Sequence, residues 1–314
     1  MGVKPVLSAL KYFFYRILTL AITLIGLVTL IFILIRSIPG DPARVLAGMM
    51  ASEEDVNLIR EQLGLNQPIY VQYFIYLKNL FTLNLGVSFR TDSPVISEIL
   101  ARLPNTLILA VTSTCLAVAL GVPLGILAAS KKGGKLDLFL SSLSIAGISL
   151  PIYWLGLILI LIFSVELRIL PAGGSGTPMH LILPTVTIAL YLMAFIVKIT
   201  KASVVDSMEK NYVITAKSKG LSERTILYKH VLRNALIPVV TIVGLQFGAL
   251  LGGAVITETI FAWPGLGRLI VDSINSRDYP MVQGSIFIFA LLYALVNLAT
   301  DLLYTFIDPR VRLK

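Results

Sequence analysis

The sequence predicts an all-α, polytopic membrane protein with six transmembrane helices, and three observations carry that reading. The runs Ile17–Ile35, Leu103–Ala129, Leu138–Val165, Ile169–Val197, Asn234–Thr257 and Tyr279–Thr300 contain no Asp, Glu, Lys or Arg. Wound as a helix at about 1.5 Å per residue, each is long enough for a hydrocarbon core of roughly 30 Å. Lipid offers the backbone no hydrogen-bond partner, so a helix is the available solution. Second, hydrophobic residues make up 56% of the 314 residues and the mean hydropathy is +0.87, too apolar for an ordinary soluble domain. Third, Lys and Arg concentrate in alternate connecting segments, the asymmetry that sets orientation.

The first run follows Lys4, Lys11 and Arg16, which would also suit the basic region of a signal peptide. Its 19 residues exceed the roughly 7–15 of a signal core. It ends at Arg36-Ser37-Ile38-Pro39-Gly40 rather than at a small-x-small cleavage site. Residues 1–36 are therefore expected to be a tail and a retained first helix.

Residues 37–102 form a long polar segment with local helix signals. Pro39-Gly40-Asp41-Pro42 is a turn cluster. Ser52 precedes Glu53, Glu54 and Asp55 as an N-cap with an acidic first turn, Val56, Ile59 and Leu63 follow at helical spacing, and Gly64 supplies the stop. Pro68 opens a second helix bearing Tyr70, Tyr73, Phe74, Tyr76 and Phe81, a density suited to the membrane interface. Ser93-Pro94 starts a third short helix whose Ile96, Ile99, Leu100 and Leu103 lead into the second run. The segment reads as a cap over the span ends, as a docking surface for an external partner, or as both. The remaining spans occupy 103–307, and 308–314 is a tail.

Placing the N-terminus inside puts 17 of the 26 basic residues in the cytoplasm, counted over the N-terminal tail, Lys131–Lys135, Lys198–Arg233 and Arg310–Lys314. Six spans then leave both termini cytoplasmic. The net charge of +9 follows from topology and gives no case for nucleic acid. Cys115 is the lone cysteine and lies inside a span, which excludes a disulfide framework and a cysteine-rich metal site.

The polar segment 200–238 is the most informative. Gly220 can adopt positive φ and divide it into two helical halves, with Ser222 capping the second. Ile226, Leu227 and Val231 share one side of that half, with Arg224, Lys229 and Arg233 around them. This is a basic amphipathic hairpin, either resting on anionic lipid or gripped as a lever by a cytosolic protein.

Several chemistries are missing from the sequence. Gly133-Gly134-Lys135 lacks the rest of a phosphate-binding loop, so any nucleotide hydrolysis belongs to a partner. His180 and His230 form no metal-ligand spacing and are expected at an interface and on a helix surface. No nucleophile elbow accompanies a His and an acid. Ionisable groups near mid-span, the usual device of proton- or sodium-coupled carriers, are missing too. Asp301 and Glu258 fall near span ends, Asp301 in a structural role and Glu258 as a cap or local ion pair near Arg268. A channel or an externally powered transporter remains. Among uncharged polar groups in the spans, Asn105, Ser149, Gln246 and Asn297 are the candidates for a solute path. Most small Gly and Ser residues there serve helix packing.

Over nearly the whole chain the residues resemble a known family. The matches are Ile38-Pro39-Gly40-Asp41-Pro42, Leu63-Gly64-Leu65-Asn66-Gln67-Pro68 with Gln72-Tyr73, and Arg102-Leu103-Pro104-Asn105-Thr106-Leu107. They continue through Tyr212-Val213-Ile214-Thr215-Ala216-Lys217-Ser218-Lys219-Gly220-Leu221 and Arg233-Asn234-Ala235-Leu236-Ile237-Pro238. Phe261-Ala262-Trp263-Pro264-Gly265-Leu266-Gly267, Arg277-Asp278-Tyr279-Pro280 and Asp308-Pro309-Arg310-Val311-Arg312 complete the set. Their order and spacing resemble the B-type inner-membrane permease subunit of dipeptide/oligopeptide/nickel ATP-binding-cassette importers.

That resemblance implies the type I importer permease fold, with an external helical segment after the first span and a cytoplasmic coupling helix. It implies a second homologous permease, two cytosolic ATPase subunits that bind ATP and Mg, and an external solute-binding protein; this chain itself needs no cofactor and no metal. It places the coupling site at Tyr212, Thr215, Ala216, Lys217, Gly220, Leu221 and Ser222, with Thr215-Ala216 and Gly220 on the general coupling-loop pattern. Ala216 and Gly220 would allow close approach to the ATPase groove. Ile214 stands where the general pattern has Glu, and Arg233 where it ends in Pro. Asn66 and Asn84 replace expected Asp residues in the external segment. Di- and oligopeptides are the first substrate class implied, with nickel complexes or oligosaccharides as alternatives. An ion-independent channel or secondary carrier is the reading that would transport without partners.

Overall fold

The computed structural model describes the backbone of residues 4–37, 41–47, 50–62 and 64–307, with side chains for these except 4–17, 42, 45–46, 62, 251–253 and 301–307. The Pro39-Gly40 turn, Leu63, the Asp301 side chain and the tail from 308 lie outside the described residues. The chain divides into two units, one of residues 1–104 and 265–292, the other of 105–264 and 293–314.

In the first unit, α1 (Lys4–Ser37) is the first span. The short helices α2 (Pro42–Ala47) and α3 (Glu53–Gln62) follow. Ser52 and Asp55 cap α3 reciprocally: Ser52 Oγ accepts from the Asp55 N–H at 3.1 Å, and the Asp55 carboxylate accepts from the Ser52 N–H at 3.2 Å. The Ser52 hydroxyl and amide hold the Asp55 carboxyl below the usual carboxylate range. Helix α4 (Ile69–Phe81) starts after Pro68 and lies along α1. The Tyr73 hydroxyl meets Thr29 Oγ1 at 2.6 Å, Arg36 donates to Gln72 Oε1 at 2.6 Å, and the Phe32 and Tyr73 rings are 5.2 Å apart. The opposite face of α4, with Tyr70, Phe74 and Phe81, is exposed. Helix α5 (Val95–Ser130) absorbs the expected third short helix, running unbroken from the end of the 37–102 segment through the second span. Helix α13 (Leu266–Asn275) and the first turns of α14 (Tyr279–Ile307) pack Leu266, Leu269, Met281 and Phe287 with Val28, Leu80, Val95 and Ile99 in one core.

The second unit is organised around α8 (Met179–Met208). Half of its most apolar stretch is buried, against 22–33% for the other long helices, so α8 is the central helix. Two glycines of α5 lie directly on it. A Cβ at Gly121 would stand 2.9 Å from Ile196, and one at Gly125 would stand 2.9 Å from the Val197 carbonyl. These glycines are four residues apart in sequence, a spacing that lets helix backbones approach closely in lipid. A second such pair, Gly244 and Gly248 on α11 (Leu232–Gly253), receives Thr300 and Asn297 of α14. Leu109, Ala117, Ile188, Leu192, Ile196 and Val239 fill the core between α5, α8 and α11.

Three expected spans differ from their charge-free runs. The third is broken: α6 (Lys135–Ser149) and α7 (Ile152–Ile160), which continues as a π-helical turn at Leu161–Glu166, meet at 98°. Pro151 forces Leu150 into an extended conformation, because a residue before proline avoids helical ψ. Counting this pair as one span, there are six candidates among the described residues, and five without it. The fourth begins at Met179, not Ile169. Pro171, Gly173, Gly174, Gly176 and Pro178 cannot sustain a helix, and the loop is charge-free because it is packed: Leu170 joins Leu159 and Phe261, and the Gly174 N–H donates to the Phe261 carbonyl at 2.7 Å. The fifth ends its straight portion at Gly253 and resumes as α12 (Val255–Ile260).

Candidate functional site

The polar segment between α8 and α11 folds as a docked short helix on a stiff return. Helix α9 (Asn211–Ser218) turns Val213 and Ala216, three residues apart, inward; they are 2% and 6% exposed. Both enter an apolar cluster made by Ala129 of α5, Val204 of α8, and Ile226, Val231, Leu232 and Ala235. Ala216 packs in the chain's own bundle. Its size lets α9 lie close on its own bundle.

Gly220 ends α9 with φ +74. The Leu221 N–H donates to the Ala216 carbonyl at 3.3 Å and the Gly220 N–H to the Lys217 carbonyl at 2.9 Å. This is the paired C-terminal motif in which a left-handed glycine satisfies the last carbonyls. Ser222 then accepts from the Thr225 N–H at 3.3 Å and caps the short α10 (Glu223–Thr225). A π-helical turn, Ile226–Val231, leads directly into α11. Caps thus close both sides of the turn between the two helices. The sequence signals at Gly220 and Ser222 sit where expected.

The outward surface is Tyr212, Ile214, Thr215, Lys217, Gly220, Leu221, Ser222 and Tyr228, all exposed. Ile214 is 59% and Tyr228 60% exposed. Beneath α9 is a cleft of about 270 Å³ whose rim carries Lys132, Lys217, Glu209 and Glu223, with Lys132 paired to Glu209 at 3.0 Å. The base of the site is tied across α6 and α8: Lys201 forms an ion pair with Asp137, and Asp137 also accepts from the Gly133 N–H at 3.0 Å and from Ser141 Oγ at 3.1 Å.

The four candidate path residues are not brought together by hydrogen bonds among the described residues. Asn105 Nδ2 donates to the Pro264 carbonyl at 2.9 Å, and its own carbonyl accepts from Trp263 Nε1 at 3.0 Å, so it fastens the Phe261–Pro264 turn. Ser149 returns its hydroxyl to the Ile145 carbonyl at 2.9 Å at the break of the third span. Gln246 is half-buried, on the α11 face that carries Val239 and Val243. Asn297 sits against Gly248, its Oδ1 buried without a hydrogen bond. Glu258 is fully buried and accepts from Thr106 Oγ1 at 2.6 Å. His180 meets Thr177 Oγ1 at 2.8 Å.

Sequence reasoning missed two carboxylates that organise their surroundings, Asp137 and Asp278. Asp278 is 2% exposed and caps α14 by accepting from the Met281 N–H at 3.2 Å. An Asp directly before Tyr-Pro and a long apolar run is a capping signal that could have found it.

Comparison with known proteins places this architecture. Residues 121–313 match the family described as binding-protein-dependent transport system inner membrane component, and residues 9–110 match the N-terminal part of such membrane components. The chain is 44% identical over 305 residues to the glutathione transport system permease protein GsiC of Escherichia coli (strain K12), spanning 97% of this chain and 100% of that protein. GsiC of Shigella dysenteriae serotype 1 (strain Sd197) is similar to the same extent. Among solved structures, the MetNI methionine ABC transporter in inward-facing conformations shares the fold with a TM-score of 0.60 at 18% identity, over 68% of this chain and 98% of that one. An amino acid ABC transporter with histidines has a TM-score of 0.50 at 20% identity, over 68% and 94%. The chain belongs to the binding-protein-dependent inner-membrane components, the permease subunits of ATP-binding-cassette importers.

Proposed function

We propose that this chain, paired with a second homologous permease, forms the translocation path for short peptides, and that two cytosolic ATPase subunits drive it through α9. The observation that carries the reading is the hairpin itself. Val213 and Ala216 root it in the bundle, caps fix the turn between its two helices, and its free face is polar with a few exposed apolar side chains. A helix so held transmits displacement instead of absorbing it. ATP and Mg belong to the ATPase partners, whose closure on ATP moves α9 and rocks the spans between inward and outward access. An external binding protein delivers the solute. The hairpin faces the cytosol, together with both termini.

Di- and oligopeptides are the proposed substrates. Support comes from the relatives that carry glutathione, itself a tripeptide, and from spans whose polar groups are uncharged. Nickel complexes and oligosaccharides are the competing cargoes. The test is reconstitution of the chain with its second permease, ATPases and binding protein in proteoliposomes. ATP-dependent uptake of a labelled di- or tripeptide, with none by the chain alone, is the expected result. Uptake of a nickel complex or oligosaccharide in place of peptide would overturn the substrate assignment, and transport by the single chain would overturn the mechanism.

A further inference from the structure

Residues 86–95 form a prong with a fixed root. Val87 and Pro94 pair antiparallel, the Ser88 N–H donates to the Ser93 carbonyl at 2.9 Å, and the Val95 N–H to the Gly86 carbonyl at 3.0 Å. The tip residues Arg90, Thr91 and Asp92 are exposed and carry both signs of charge. The root is held by Asp278, whose carboxylate accepts from Ser88 Oγ and, at 3.2 Å, from the Phe89 N–H. Ser88 is itself 2% exposed. Its Oγ also accepts from the Thr91 N–H at 3.1 Å, so the tip and the tie share one hydroxyl. Close packing backs the tie: a Cβ on Gly284 of α14 would stand 2.7 Å from Val95 Cγ1 and 3.2 Å from Leu85 Cδ1.

Capping α14 requires only the bond from Met281. The bonds from Ser88 and Phe89 are additional, and they join segments that lie 190 and 189 residues away in sequence. A buried carboxylate is costly unless its oxygens are satisfied, and here the prong supplies part of that satisfaction. We infer that Asp278 is a positioning residue for binding-protein-dependent transport: it fastens the 86–95 prong to the first turn of the last span, so that engagement of the tip by the external binding protein is carried into that helix. The partner surface that fits the tip is polar and charged with both signs, facing Arg90 and Asp92. This inference rests on the reading of the chain as an importer permease with 86–95 outside.

The test uses the assembled transporter in proteoliposomes, with and without its binding protein. Ser88→Ala removes the side-chain half of the tie, leaving the Phe89 N–H bond and the α14 cap in place. Stimulation of ATPase activity by the binding protein is expected to fall about five-fold or more, with the unstimulated rate kept within about two-fold and with Ser88→Thr retaining stimulation. Asp278→Asn, which keeps one acceptor oxygen, is expected to lose stimulation in the same way. Hydrogen exchange on the Ser88→Ala protein should quicken over 86–95 and stay unchanged over 284–292. Undiminished stimulation in both variants overturns the inference. So does a parallel fall of both ATPase rates with faster exchange along α14, which would make the pair merely structural. A wild-type assembly that shows no stimulation at all removes the importer reading itself, and the inference with it.

Discussion

Lys201 and Asp137 show what a single residue contributes at the base of the α9 site. Asp137 has a side chain only 10% exposed, and Lys201 supplies its one cationic partner among the described residues. Replacing Lys201 with Met would leave a mostly buried carboxylate held only by the Gly133 N–H and Ser141. A loss of stability is expected, since removing one partner leaves the other charge without its counter-ion. Asp137→Asn in the Lys201→Met background should recover most of it. Thermal unfolding of the detergent-solubilised protein checks both, and equal losses for the single and double variants would refute the pairing. Residues with local roles were legible in the sequence. Gly220 and Ser222 act on their own neighbours, and a helix stop and a cap can be read from residue type and position alone. Ala216 was not, because its burial depends on Val204 and Ala235, brought to it only by the tertiary fold. Asp137 escaped notice for the same reason, its partner lying 64 positions away.

At the scale of elements, the apolar runs fixed which helices exist but not how they bend. Hydropathy reports composition over a window, so Pro151 vanished into a run whose mean stayed apolar, and the packed loop before Met179 passed for helix. Pro184 and Pro238, in contrast, lie inside α8 and α11 without ending them, so proline alone does not locate a break. Close helix contact is the second element-level property, and here the spacing of small residues was informative. Gly125 occupies the tightest point of the α5–α8 seam, where a Cβ would meet Thr200 as well as the Val197 carbonyl. Thr200 can be shortened, but the carbonyl cannot be moved without shifting the helix. Gly125→Val is therefore expected to destabilise the unit by about 3 kcal/mol or more, and Thr200→Ala should recover only part of that. Gly26, which has no neighbour near its Cβ position, provides the control: Gly26→Val should leave stability within about 0.5 kcal/mol. Recovery yield and apparent Tm of the variants decide the matter.

The whole molecule carries a charge asymmetry that its individual helices do not. With the N-terminus inside, 17 basic residues of 26 face the cytoplasm. An excess of this kind in short loops fixes topology because Lys and Arg resist translocation. The hairpin contributes Lys210, Lys217, Lys219, Arg224, Lys229 and Arg233 to that excess, so the segment proposed as a lever is also the one expected to be held most firmly on the inner side. The prong at 86–95 lies in a segment whose acidic residues offset its basic ones. These two surfaces are therefore expected on opposite sides of the membrane, as a machine driven from one side and loaded from the other requires. In a Cys115→Ser background, Thr91→Cys should react with a membrane-impermeant maleimide on intact spheroplasts, and Ser218→Cys only after lysis. Both positions are exposed, so failure to react reports sidedness and not burial. Co-expressed ATPase subunits should then protect Ser218→Cys after lysis while leaving Thr91→Cys reactive. Labelling of Ser218→Cys from outside would invert the topology. It would leave α9 with no access to an ATP-hydrolysing partner, and the drive proposed for this permease could not operate.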